Sequence, residues 1–125
     1  MNRKDLIYKV INRKRLLNLT IEQIANLTGL GYRTVTRFFS GKDVKLSTVE
    51  KITNLLGLDF AGNETVSTKK LLEKRAKQKA LEIVSLVQDT SSLEEQGLDN
   101  KRLKDLLEFT KNQYLTENKK LLWAN

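Results

Sequence analysis

Arg33, Thr36, Arg37 and Ser40 stand at i, i+3, i+4 and i+7, the spacing that gathers four side chains on one face of a helix. Tyr32 lies beside Arg33 at the start of the same segment. Two guanidinium forks, two hydroxyls and a phenol make a positively charged face rich in hydrogen-bond donors. That face has the chemistry to read base edges in a major groove. Arginine forks onto guanine acceptors, a threonine methyl meets a thymine methyl, and phosphates take the remaining donors. Val35, Phe38 and Phe39 fall at i, i+3 and i+4 on the other side of the same segment, a face suited to a core.

The elements that must position this face can be read on either side of it. Thr20 and Gln23 have the spacing of a capping box, which predicts a helix start. Ile21, Ile24, Ala25 and Leu27 give that helix its apolar stripe, and Gly29 ends it because glycine turns left-handed without steric cost. Leu30 then tucks under the turn. The donor-rich helix follows from Gly31 or Tyr32 to near Ser40, with Gly41 as its stop.

Upstream, Leu6, Ile7, Val10, Ile11 and Leu17 repeat at helical spacing between about Asn2 and Asn18. The Arg13-Lys14-Arg15 run on that helix reads as a solvated face, with a phosphate contact from one of the three as the alternative. Downstream, residues 42–45 form a loop, and Ser47 with Glu50 offers a second capping box. Val49, Ile52, Leu55 and Leu56 are the apolar residues of the helix it opens. Gly57 closes it, and Leu58 and Phe60 are expected to pack back onto the bundle.

The ordered set Leu19-Thr20, Ile24-Ala25, Gly29-Leu30, Thr34-Val35, Arg37 and Gly41-Lys42, then Leu46-Ser47, Val49 and Leu55-Leu56-Gly57, resembles a known motif. It is similar to the helix-turn-helix of the Cro and phage CI repressor superfamily, the XRE-type regulators, over residues 3–60. The resemblance implies an all-α, lambda-repressor-like bundle of 4–5 helices. It further implies that Tyr32, Arg33 and Arg37 face base edges with Thr36 close to them, and that Thr20, Lys42 and Lys45 hold phosphates. Two positions depart from the family. Ile21 stands where many relatives have a phosphate-binding glutamine, and Phe39 where relatives often have a glutamate paired with a cation of the first helix. At Phe39, packing is expected to replace that ion pair, with the Lys14 stem as one partner.

The remaining chain reads as a helical extension. Residues 59–67 are polar and turn-forming, which places the boundary between a domain at 1–62 and a C-terminal region at 63–125. A helix is expected from about Thr68 to Gln88, with Lys69, Lys70, Lys74, Arg75, Lys77 and Lys79 crowding its first half as a solvent face or as contacts to flanking DNA. Asp89-Thr90-Ser91-Ser92 should interrupt it. Ser91 with Glu94, or Ser92 with Glu95, could then cap a short helix ending at Gly97, and Asp99 a final helix to about Glu117. The apolar Leu121-Leu122-Trp123 needs cover, from its own chain or from a second subunit.

Composition narrows the function classes. The 125 residues hold no cysteine and no histidine, which removes disulfides, thiolate zinc sites and the commonest general base. Neither a glycine-rich phosphate loop nor metal-ligand spacing occurs, so no catalytic residue, metal or cofactor is expected. No signal peptide or membrane span is read, and a cytoplasmic location is the simplest expectation. The net charge of +8 suits a polyanionic partner. Its distribution is more informative: +6 over residues 1–62, +4 over 63–80 and −2 over 81–125.

The expected function is a sequence-specific, double-stranded DNA-binding regulator of transcription. It would act as a homodimeric repressor on a near-palindromic operator, with helix 32–40 in the major groove. The alternative is an antitoxin-like protein whose residues 68–125 bind and neutralise a protein partner while the N-terminal half autoregulates.

Overall fold

The computed structural model describes residues 2–93 and 100–124, with side chains through residue 86 and again from residue 100. Six α-helices lie within it: α1 Arg3–Leu17, α2 Ile21–Thr28, α3 Tyr32–Phe39, α4 Leu46–Leu55, α5 Thr68–Leu93 and α6 Asn100–Thr116. A 3-10 turn at Lys119–Leu121 follows. The chain is all-α, and among the described residues the one β-type pairing is a single bridge between Leu58 and Glu64. Residues up to Leu71 form one compact unit and Leu72–Ala124 a second.

In the first unit α2 packs on α3 and α4, while α3 also touches α1 and α4. Helices of eight residues, the length of α2 and α3, are not stable alone in water, so buried faces and capped ends must hold them. Val10, Leu17, Ile24, Val35, Ile52 and Leu56 are fully buried and form that core. The caps are well made. The Asn2 side chain accepts from the Asp5 amide, and Thr20 and Gln23 form the reciprocal capping box of α2. Asn18 and Gly29 end α1 and α2 in the left-handed conformation.

Three local readings of the sequence are corrected here. First, α4 is not opened by Ser47. The Lys45 carbonyl accepts from the amides of Thr48 and Val49 at 3.0 and 3.2 Å, so the helix is already closed before Ser47, which sits in its first turn. Second, Phe60 does not pack back but stays 54% exposed. The Asp59 carboxylate accepts from the amides of Ala61 and Asn63, both at 2.9 Å, and this Asx turn holds Phe60 at the tip of the loop.

The third is Arg13, which is neither solvated nor placed for a phosphate. It is 4% exposed; its Nη2 pairs with Glu64 at 2.6 Å, and its Nη1 donates to the Val66 carbonyl at 3.2 Å and to Thr68 Oγ1 at 2.9 Å. One side chain of α1 thereby holds the segment 64–68 that leads into α5. Arg15 remains exposed.

Helix α5 runs unbroken through Leu93, past the expected interruption at Asp89–Ser92. Serine, threonine and aspartate each cost a helix interior no more than about 0.7 kcal/mol relative to alanine, and without glycine or proline that does not end a long helix. The short helix ending at Gly97 and the Asp99 cap lie outside the described residues.

In the second unit the buried residues include Ala76, Ala80, Thr110, Leu122 and Trp123. Arg75 organises the tail: its Nε donates to the Leu122 carbonyl at 2.8 Å and its Nη2 to the Ala124 carbonyl at 3.0 Å. The guanidinium also lies 5.6 Å from the Trp123 ring centroid, a cation–π arrangement. The chain thus covers Leu122 and Trp123 itself, leaving Leu121 exposed. Among the described residues no helix is long and apolar enough to cross a membrane.

Among the described glycines of the first unit, Gly57 has the closest surroundings. Its φ is +69°, and a Cβ there would lie 2.8 Å from Leu71 Cδ1 and 3.1 Å from the Val66 carbonyl oxygen. Gly57→Ala should therefore destabilise the unit by about 1–3 kcal/mol in urea unfolding. Arg13→Ala, which removes the guanidinium from Glu64, the Val66 carbonyl and Thr68, should cost about 1.5–3 kcal/mol. A loss below the error of the titration for either variant would contradict the packing described.

Candidate nucleic-acid interface

The rotation of α3 about its own axis decides what it presents. Val35 and Phe38 are 0% and 2% exposed, and the Phe38 and Phe39 rings meet edge to face with centroids 5.3 Å apart. With that face anchored, Tyr32, Arg33, Arg37 and Ser40 are left exposed and Thr36 half-buried. The face opposite the core is the one the sequence spacing selects.

Hydroxyls on this face are spoken for inside the helix. Thr36 Oγ1 donates to the Tyr32 carbonyl and Ser40 Oγ to the Thr36 carbonyl, each at 2.9 Å. The Thr36 hydroxyl is thus not a free donor. Arg33 and Arg37 supply the forks, although Arg37 Nη2 also reaches the Asp43 carbonyl at 3.4 Å. Tyr32, Arg33, Thr36, Arg37, Ser40 and Lys42 line one shallow depression of about 350 Å³.

Five residues singled out in the sequence, Tyr32, Arg33, Thr36, Arg37 and Lys42, are thus brought together. The other two lie apart from the depression. Thr20 is exposed at the N-cap of α2, where its hydroxyl oxygen accepts from the Gln23 amide at 3.1 Å. Lys45 is exposed at the N-cap of α4. Ser40 joins the depression although the resemblance assigned it no role; its place at i+7 from Arg33 was the signal. Phe39, half-buried, faces Ile7, Tyr8 and Ile11 of α1 across a second depression. Among the described residues no cluster of acidic side chains is arranged to hold a metal ion.

Two short helices joined by a left-handed glycine turn, the first capped and buried and the second showing a basic outer face, define a DNA-binding helix-turn-helix domain. Residues 11–63 match the family described as Helix-turn-helix, which supports the resemblance of this part of the chain to the Cro/CI, XRE-type transcription regulators. No curated protein and no solved structure gives a significant match to the chain.

Thr20 carries a cap whatever else it does. Thr20→Ala should lower stability by about 1 kcal/mol, and Thr20→Ser should restore most of it, as read from paired urea titrations. Equal stability of all three proteins would mean that the capping box does not hold α2.

Proposed function

We propose that the protein is a sequence-specific repressor that binds a near-palindromic operator as a homodimer, each copy seating α3 in the major groove. The observation that carries this reading is the single depression that unites Tyr32, Arg33, Thr36, Arg37, Ser40 and Lys42 on the face of α3 turned away from the core. In this reading Arg33 and Arg37 fork onto base acceptors, with Tyr32 and the Thr36 methyl beside them. Lys42, Lys45 and Thr20 hold phosphates, which fix the register of the domain on the duplex without reading sequence. Two copies related by a twofold axis would place their recognition helices about one DNA turn apart. The second unit, Leu72–Ala124, supplies the contacts between copies, and a cytoplasmic location follows from the partner.

The antitoxin-like alternative drew on an apolar surface at Leu121, Leu122 and Trp123. Leu122 and Trp123 are buried in their own unit, so that feature no longer favours it.

Selection of bound duplexes from a randomised pool, at two salt concentrations, tests the proposal. The protein should enrich a twofold-symmetric site, and an Arg33→Ala, Arg37→Ala double variant should fail to select it. Each arginine fork lost should remove about 1–3 kcal/mol of discrimination at its base pair. Lys42→Ala should instead weaken binding to every sequence alike and lower the salt slope by about 0.9. Enrichment of nothing, with binding that vanishes as salt rises, would falsify the sequence-specific reading and leave only a basic surface.

A further inference from the structure

Arg3, the first residue of α1, reaches across the first unit to the loop that follows α3. Its Nη1 donates to the Gly41 carbonyl at 3.1 Å, and its Nη2 forms a close ion pair with the Asp43 carboxylate. The same loop is tied from the other side, where Arg37 Nη2 donates to the Asp43 carbonyl at 3.4 Å and the Lys42 amide to the Arg37 carbonyl at 3.0 Å. Two residues 40 positions apart in sequence, Arg3 and Asp43, thus meet at the edge of the basic face.

That pair contributes little to the fold. Its side chains are 58% and 85% exposed, and exposed ion pairs are screened by water and salt. Its consequence lies in charge and geometry. Asp43 is the one carboxylate between Gly29 and Val49, and it stands between Lys42 and Lys45. A bare carboxylate there would repel the phosphates that the two lysines are placed to meet. Paired with Arg3 it is neutral, and the fork that neutralises it also fixes the Gly41 carbonyl. Arg3 thereby gives α1 a polar tie to the loop that follows α3.

We propose that Arg3 is a positioning residue for DNA binding, neutralising Asp43 and holding the 41–43 loop so that Lys42 and Lys45 face the phosphate backbone. The proposal rests on the DNA-binding reading above. It assigns Arg3 no phosphate of its own.

A double-mutant cycle on the full chain separates the possibilities. Wild type, Arg3→Ala, Asp43→Asn and the double variant are titrated against the selected duplex and a scrambled one across a salt series, with thermal unfolding alongside. Arg3→Ala should lose about tenfold in affinity for both duplexes at an unchanged Tm, and that loss should shrink to below about threefold in the Asp43→Asn background. Arg3→Lys, which keeps the charge without the fork, should recover only part of the loss. An equal loss in both backgrounds, with the salt slope reduced by about 0.9, would show a direct phosphate contact and overturn the proposal. Unchanged affinity in Arg3→Ala would overturn it as well. Failure of the wild-type protein to bind either duplex would instead overturn the DNA-binding reading on which the proposal rests, and the two failures are thereby told apart.

Discussion

The burial of Val35 and Phe38 is the constraint from which the rest of the first unit follows. An eight-residue helix gains too few internal hydrogen bonds to persist by itself, so α3 exists because its apolar face is enclosed by α1, α2 and α4. Enclosing that face also fixes its rotation. A helix pinned along one side has no freedom to choose what it shows on the other, and Arg33 and Arg37 are held outward by the same packing that stabilises the core. Stability and the presentation of the basic face here share one interaction.

The supporting elements repeat this logic at lower cost. The capping box of α2 and the glycine turn at Gly29 fix the element that precedes α3, so the orientation of the basic face depends on groups outside α3 itself. Arg13 extends the arrangement to the segment 64–68, where a buried guanidinium meets a carboxylate, a carbonyl and a hydroxyl. A charge taken out of water must be matched by such partners, and once matched it rigidifies whatever it joins. The tight packing around Gly57 confines the same segment, for its carbonyl accepts from the amides of Thr65 and Val66 at 2.8 and 3.2 Å.

The second unit uses arginine in a related way. Arg75 binds two carbonyls of the tail and lies over Trp123, so a residue from the basic run of α5 is consumed within its own unit. Lys79 of the same run is buried as well. The lysines that stay exposed there, Lys69, Lys70, Lys74 and Lys77, are what remains of the positive half of α5. A count of basic residues therefore overstates the charge available to a polyanion, because some of it is committed to packing.

Periodicity, caps and glycine positions were legible in the sequence because they are local. The Thr20–Gln23 box, the Gly29 stop, the apolar triplet of α3 and the basic face opposite it all depend on residues within one or two helical turns, where spacing alone fixes geometry. What escaped was decided by contacts between distant residues. The partners of Arg13, the cover for Trp123 and the reach of Arg3 to Asp43 cross about 40 to 55 positions, and nothing in the neighbourhood of each residue announces them. The start of α4 and the exposure of Phe60 were missed for a smaller version of that reason, since backbone hydrogen bonds of the surrounding turn outweighed the side-chain signals. The sequence by itself determined the helices of the first unit and which of their faces are apolar or basic. Only the tertiary structure decided which charges stay free to act, because a charged side chain takes its role from whichever group the folded chain brings within hydrogen-bonding distance.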